Sequence, residues 1–272
     1  MIYCFVKNHL KITHILNIQK YINRLFHIIV RMTMVLQKET VNRLMRDIKQ
    51  IIKNPLIDNG IYYIHDEIDI LKGYALIIGP SDTPYFSGYY FFTFTYPVDY
   101  PHSPPKVTYY TNGNNIRFNP NLYKCGKVCI SLLNTWSGDQ WTSCQTISTV
   151  LLTLCSLLCK DPLLNEPGVS KTHKELHKYT QVIEYSNIDL AICDILNKKH
   201  DVYINFFDNF YFIMKDIFNK NYNKLIDFID NKIIETEGKP ETIDTVFYSM
   251  KLIIDYQKLK QKLIETNKTI TI

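Results

Sequence analysis

The sequence predicts an α+β domain with helical extensions at its C-terminal end. Three observations carry this. An amphipathic stretch at 38–53 has helical spacing, strand-like runs follow between 73 and 111, and helical spacing returns beyond 145. The chain has 272 residues, 46% apolar and 21% charged, which allows a real core and gives no sign of disorder. Heavy use of Ile, Asn, Lys and Tyr hints at AT-rich coding, which bears on source and not on activity.

Residues 1–37 read as an N-terminal extension. Up to Lys38 the chain carries six basic residues (Lys7, Lys11, Lys20, Arg24, Arg31, Lys38) and no acid. Subtracting these from the net charge of +5 leaves the rest near −1. A nucleic-acid binder would carry its excess charge on the folded domain, so that class is disfavoured. The stretch is a little like a mitochondrial presequence. An upstream start, with Met32 or Met34 the true one, or a loosely docked helix accounts for it better. No apolar run approaches the ~20 residues of a membrane span.

In 38–53, Val41, Leu44, Met45, Ile48, Ile51 and Ile52 form the apolar face. Arg43, Arg46, Lys49 and Lys53 form the other, and Asn54-Pro55 stops the helix. Residues 73–78, 89–95 and 106–111 are rich in Tyr, Phe, Val and Thr and read as strands. Gly79 to Pro84 makes a turn between the first two. Pro97, Pro101, Pro104 and Pro105 stiffen the connection to the third. Residues 112–141 are irregular, and loops that long inside a compact domain usually carry function. Helical spacing resumes at 145–159 and about 176–197. The last 70 or so residues are helix-like in two pieces, broken near Gly238-Lys239-Pro240.

Seven cysteines, an odd number with no secretory signal, read as free thiols in a reducing compartment, the cytoplasm or nucleus. Cys129 sits mid-loop in a short apolar run, 128–133, and three chemistries compete for it. A cysteine protease would need a His base in reach, and none of the eight His lies in a protease signature. A zinc site could pair Cys125 and Cys129 with Cys155 and Cys159, although the latter two sit in an apolar helix where Cys acts as a small hydrophobe. The third is acyl transfer through a thioester.

The third explains more of the chain. Tyr96-Pro97-Val98-Asp99-Tyr100-Pro101, then Pro104-Pro105-Lys106-Val107, Arg117-Phe118-Asn119-Pro120-Asn121, Gly126-Lys127-Val128-Cys129-Ile130-Ser131-Leu132-Leu133 and Trp141 stand in one order. That order resembles the catalytic domain of ubiquitin-conjugating enzymes, in which an Asn lies eight residues before the active Cys. The resemblance covers about 38–198. It implies a four-stranded antiparallel sheet between an N-terminal helix and C-terminal helices, and leaves 199–272 as a helical extension that packs on the core or recruits a partner. Thr111 to Asn115 with its Gly-Asn-Asn, Arg117 to Tyr123, Thr135-Trp136-Ser137-Gly138, Asn165-Glu166-Pro167-Gly168 and the stretch from Tyr179 to Leu196 resemble the Z-type branch of that family most.

The resemblance implies that Cys129 carries ubiquitin or a related modifier as a thioester. Asn121 then donates to the oxyanion or braces the loop, and Glu166 orients the attacking lysine, with Asp161 as second candidate. It implies no cofactor and no metal. The implied partners are the modifier, an activating enzyme, a ligase and substrate proteins, with no nucleic acid and no membrane. Arg43, Arg46 and Lys49 match the helix face that meets the activating enzyme, or are simply a solvated basic face. Asn119 stands where the family usually has His, a mainly structural hydrogen-bonder. Trp141 lies twelve residues after Cys129, so residues 134–139 lengthen the active-site loop. His102 and Ser143-Cys144 depart from the usual ligase-contact residues. The rivals are a non-catalytic adaptor of the same fold and a decoy that captures modifier without discharging it. Catalysis requires the Cys129 sulfur to be open to an acyl donor; a sulfur buried under packed side chains or tied to a metal ion would leave a binding role instead.

Overall fold

The computed structural model describes residues 36–199, 203 and 205–271. The readings made for residues 1–35 lie outside the described residues. Helix α1, Lys38–Lys53, forms where its spacing predicts and buries Val41, Leu44, Ile48 and Ile51. The Asn54 N–H closes on the Gln50 carbonyl at 2.9 Å, where Pro55 ends the helix.

The basic face of α1 needs one correction. Arg43 is not a free outward cation: its side chain is 11% exposed and its Nε donates to the buried Asp47 at 3.0 Å. Its terminal nitrogens donate to the Ser143 and Gln145 carbonyls. Tyr100 Oη donates to the other Asp47 oxygen at 2.5 Å. A buried carboxylate must be paired, and Arg43 is consumed in pairing it. Arg46 and Lys49 remain exposed.

The sheet has the antiparallel order β1 (Ile61–His65), β2 (Lys72–Ile78), β3 (Tyr89–Thr95), β4 (Lys106–Tyr109). Strand β1 lies outside the three runs that read as strands, although Ile61 to Ile64 are good strand formers and the four-stranded sheet implied by the resemblance needs it. Strand β4 stops at Tyr109 instead of 111. Beyond it the Thr111 hydroxyl takes over the ladder, accepting from Phe91 N at 3.0 Å and donating to Tyr89 O at 2.8 Å.

Both faces of β3 are covered. On one, Tyr90 meets Phe118 and Tyr85 edge-on. On the other, Phe91 stacks on Phe207 at 3.7 Å and Tyr89 Oη donates to the Met214 carbonyl at 2.9 Å. The unbroken run Tyr89-Tyr90-Phe91-Phe92 is what a strand buried on two sides requires. The covering residues Phe206, Phe207 and Phe210 come from a 3₁₀ segment, Asn205–Phe210, that leads into the C-terminal helices.

Helix α2, Ile147–Leu157, is capped by Thr146, whose side chain accepts from Thr149 N at 3.3 Å. Helix α3, Glu175–Ser186, continues as a π-helical stretch, Asn187–Asp194. The Asn187 amide there accepts from Tyr90 Oη at 2.7 Å and donates to Phe86 O at 2.9 Å. Gly88 makes the approach possible, because a Cβ there would stand 1.9 Å from Asn187 Oδ1.

The C-terminal region holds α4, Tyr211–Glu235, and α5, Tyr256–Thr271. Between them, where the sequence reading placed only a break, runs a hairpin of β5, Glu241–Asp244, and β6, Lys251–Ile254. Lys262 of α5 bridges Asp189 at 2.5 Å and Asp194 at 2.7 Å, which fastens this helix to the π-helical stretch. Among the described residues no helix is long and apolar enough to cross a membrane.

Candidate active site

The spacing between Asn121 and Cys129 is the length of one tight loop. Tyr123 N donates to Lys127 O at 2.9 Å and Gly126 N to Tyr123 O at 2.9 Å, so the chain reverses at Gly126. Gly126 has φ +87°, and a Cβ would lie 2.9 Å from the Tyr109 carbonyl, so only glycine fits without strain. The reversal sets Cys129 beside Asn121: Cys129 N donates to Asn121 O at 2.9 Å, and Asn121 Nδ2 donates to Cys129 O at 2.7 Å. In this conformation Asn121 braces the cysteine's own backbone. Asn119, fully buried, accepts from Asn121 N at 2.9 Å and donates to the Leu157 carbonyl at 2.8 Å, which ties the loop to α2.

Cys129 is 3% exposed, which corrects the expectation of an open sulfur. Its thiol donates to the Thr135 carbonyl at 3.0 Å. The cover is the lengthened loop. The Thr135 hydroxyl accepts from Ile130 N at 2.9 Å and lies 3.0 Å from the Val128 and Ile130 carbonyls, pinning residue 135 over the cysteine. Asn134, at φ 57°, accepts from Trp141 N at 2.8 Å and closes the loop. Residues 134–140 are themselves exposed, Trp136 at 48%. A groove of about 450 Å³ between the Pro104-Pro105 segment with β4 and residues 125–128 ends at Leu133 and Thr135.

Glu166 follows a short 3₁₀ turn, Pro162–Asn165, and is half-buried. It accepts a hydrogen bond from Tyr248 Oη, donated from the turn between β5 and β6. Asn165 Nδ2 reaches Asn119 Oδ1 at 3.4 Å, so a chain of polar contacts joins the Glu166 loop to Asn119, Asn121 and Cys129. Asp161 is exposed and precedes this turn. Arg117 lies 3.6 Å over the Tyr123 ring and 4.5 Å over the Tyr248 ring. Its Nε donates to Asn119 O at 3.3 Å and its Nη2 to Pro120 O. Sequence reasoning missed both Tyr248 and the anchoring role of Arg117, and nothing local to Glu166 announces a partner 82 residues away.

Cys125 and Cys144 are exposed, while Cys155 and Cys159 are half-buried with their thiols pushed up by burial. Among the described residues no three His, Cys, Asp or Glu side chains converge as a metal-binding group. Beside α1, a groove of about 540 Å³ is lined by Lys38, Glu39, Arg46, Pro101, His102 and Ser143.

Residues 38–190 match the family model described as ubiquitin-conjugating enzyme. The chain is similar to human ubiquitin-conjugating enzyme E2 Z, with 43% identity over 160 residues, 58% of this chain and 45% of the relative. It is similar to the zebrafish (Danio rerio) enzyme of that name at 41% over 165 residues, 60% of this chain and 50% of the relative. Human BIRC6, a dual E2 ubiquitin-conjugating enzyme and E3 ubiquitin-protein ligase, shares 47% over 114 residues, 39% of this chain and 2% of the relative. The chain spans about half the length of the E2 Z relatives it matches.

Proposed function

The chain belongs to the ubiquitin-conjugating enzyme family, and from that premise we propose that it accepts ubiquitin or a ubiquitin-like modifier as a thioester on Cys129 and passes it to an amine. The observation that carries the reading is the reciprocal pair of bonds between Asn121 and Cys129 at the end of a tight loop. In the first step the Cys129 sulfur attacks the thioester carbonyl presented by an activating enzyme. A new C–S bond forms, the old one breaks, and the proton lost by Cys129 ends on the departing thiolate. A thiol suits both steps, because thiolates attack and leave readily.

In the second step a lysine nitrogen attacks the same carbonyl. The C–N bond forms, the C–S bond breaks, and the electron pair returns to the Cys129 sulfur. Glu166 receives the proton shed by the amine and releases it to solvent. Asn121 has a second amide N–H beyond the one given to Cys129 O, and that donor serves the oxyanion. Both steps require Thr135 to swing off the sulfur, and the exposed loop 134–140 is the part that moves, opening Cys129 toward the groove at Pro104-Pro105.

Residues 38–198 form the catalytic unit in this reading, and 199–272 the extension. Exposed Arg46 and Lys49 face the activating enzyme, without Arg43, and the groove at His102 meets the ligase. Free thiols are what supports a cytoplasmic or nuclear setting for this reaction. The test is incubation with activating enzymes, ATP and a panel of modifiers. The wild-type chain forms an adduct that dithiothreitol cleaves, and Cys129→Ala forms none. No adduct with any modifier would leave a binding role for the fold in place of transfer.

A further inference from the structure

The C-terminal hairpin does more than pack on the core: its turn reaches both polar arms of the site. Residues 245–250 are held from many sides. Val246 N donates to the buried Glu175 at 2.9 Å, Lys124 Nζ to the Tyr248 carbonyl at 3.0 Å, and Arg117 N to the Met250 sulfur at 3.1 Å. Phe247 packs edge-on against His173 with ring centres 5.4 Å apart. Within the turn, Thr245 N donates to Met250 O at 2.9 Å.

At its tip Tyr248 has φ 62° and Ser249 φ 48°. A bulky aromatic in the left-handed region is costly and persists only where its surroundings insist on it. That backbone aims the phenol at Glu166 and lays its ring against the Arg117 guanidinium, which grips the Asn119 and Pro120 carbonyls just before Asn121. The other Glu166 oxygen, Oε1, has no side-chain partner among the described residues. One carboxylate oxygen is therefore tethered and the other is left for an incoming amine.

We infer that Tyr248 is a positioning residue for amine transfer, holding Glu166 so that its free oxygen meets the attacking lysine, and that the C-terminal hairpin is thereby part of the acceptor side of the site. This rests on the conjugating reading above. Burial and the bond to Glu166 both push the Tyr248 phenol above its ordinary pKa, so it remains a proton donor throughout the working pH range. The transfer step is unchanged in its balance: C–N forms, C–S breaks, and the amine proton passes to Glu166. Tyr248 exchanges no proton and fixes only the acceptor's place.

The experiment uses the full chain with activating enzyme, ATP and ubiquitin, comparing wild type, Tyr248→Phe, Glu166→Gln and the double variant. Tyr248→Phe forms the thioester, and its maximal discharge rate to free lysine falls roughly tenfold, the loss of one hydrogen bond to a charged group. The half-saturating lysine concentration does not change. Discharge to hydroxylamine, whose nitrogen is far more acidic than a lysine's after attack and gives its proton to water without help, also stays at the wild-type rate. In the Glu166→Gln background, Tyr248→Phe adds nothing. A charged Tyr248→Phe chain that discharges to lysine like wild type, or an effect that persists undiminished without Glu166, would overturn the inference and leave the thioester reading intact. Equal slowing toward lysine and hydroxylamine would overturn it too, as the mark of a merely collapsed site. A wild-type chain that never charges would sink the conjugating reading and this role together.

Discussion

Cys129 and Glu166 are held in opposite ways. The cysteine is fixed by neighbours within a dozen residues: Asn121 braces its carbonyl, Gly126 turns the chain, and Thr135 covers its sulfur. The acid is fixed by a tyrosine 82 residues further along, carried on a hairpin of the C-terminal extension. The proposed nucleophile is thus a local construction with its own cover, and the proposed acid depends on how the whole chain packs. Damage near Cys129 should alter access to the sulfur or the stabilisation of the acyl group it passes on, and damage to the extension should act on the amine step through Glu166 alone.

The largest test of this contrast is Asn121→Ala. It removes the brace on Cys129 and the proposed oxyanion donor, so discharge to lysine should fall by roughly 10²–10³ while charging persists. Normal discharge would strip Asn121 of its role on the Cys129 side.

A second test fixes the pH window in which the two sides can be compared. His65 is buried beside Tyr63 Oη at 2.7 Å and the Ile70 carbonyl at 2.8 Å, and burial holds its pKa down at about 4. The unfolded chain protonates this His near 6.5. Its share of stability is therefore complete above that pH and drains as pH falls toward 4, by roughly 3 kcal/mol. Urea unfolding between pH 7 and 4.5 reads the slope, and His65→Gln should flatten it. An equal slope in both chains would remove His65 as the cause, and catalytic comparisons then need no lower pH bound on its account.

The smallest test concerns the cover. Under iodoacetamide, exposed Cys125 and Cys144 should alkylate before Cys129. Thr135→Ala loses the hydroxyl's bonds to Ile130 and Val128, and should speed Cys129 alkylation by roughly threefold to tenfold. Cys129 reacting as fast as Cys125 in the wild-type chain would mean that the loop does not guard the sulfur.

The same contrast explains what could be read from the sequence. Helix α1 and strand β3 were legible because their signals are local: i, i+3, i+4 spacing in one, a dense aromatic run in the other. The Asn121–Cys129 spacing was legible through the family resemblance, and the structure gives it a physical reason: it is the length of one tight loop. The fate of Arg43 could have been suspected from Asp47 four residues on, yet that pair also describes an ordinary exposed helix face. The sulfur's cover was half legible: the extra residues 134–139 were visible, but which way they fold depends on Thr135 finding Val128 and Ile130. The hairpin of β5 and β6 was lost between two helix-like stretches, although Thr242, Ile243, Leu252, Ile253 and Ile254 are strand formers. Tyr248 could not be found at all, because its meaning lies in contacts with Arg117 and Glu166 made only after the chain has packed.

The most direct measurement is a peptide map of the charged chain, digested under acidic, non-reducing conditions that preserve thioesters. The account predicts the C-terminal remnant of the modifier on the peptide containing Cys129, lost after dithiothreitol. The remnant on Cys125 or Cys144, with Cys129 unmodified, would contradict it.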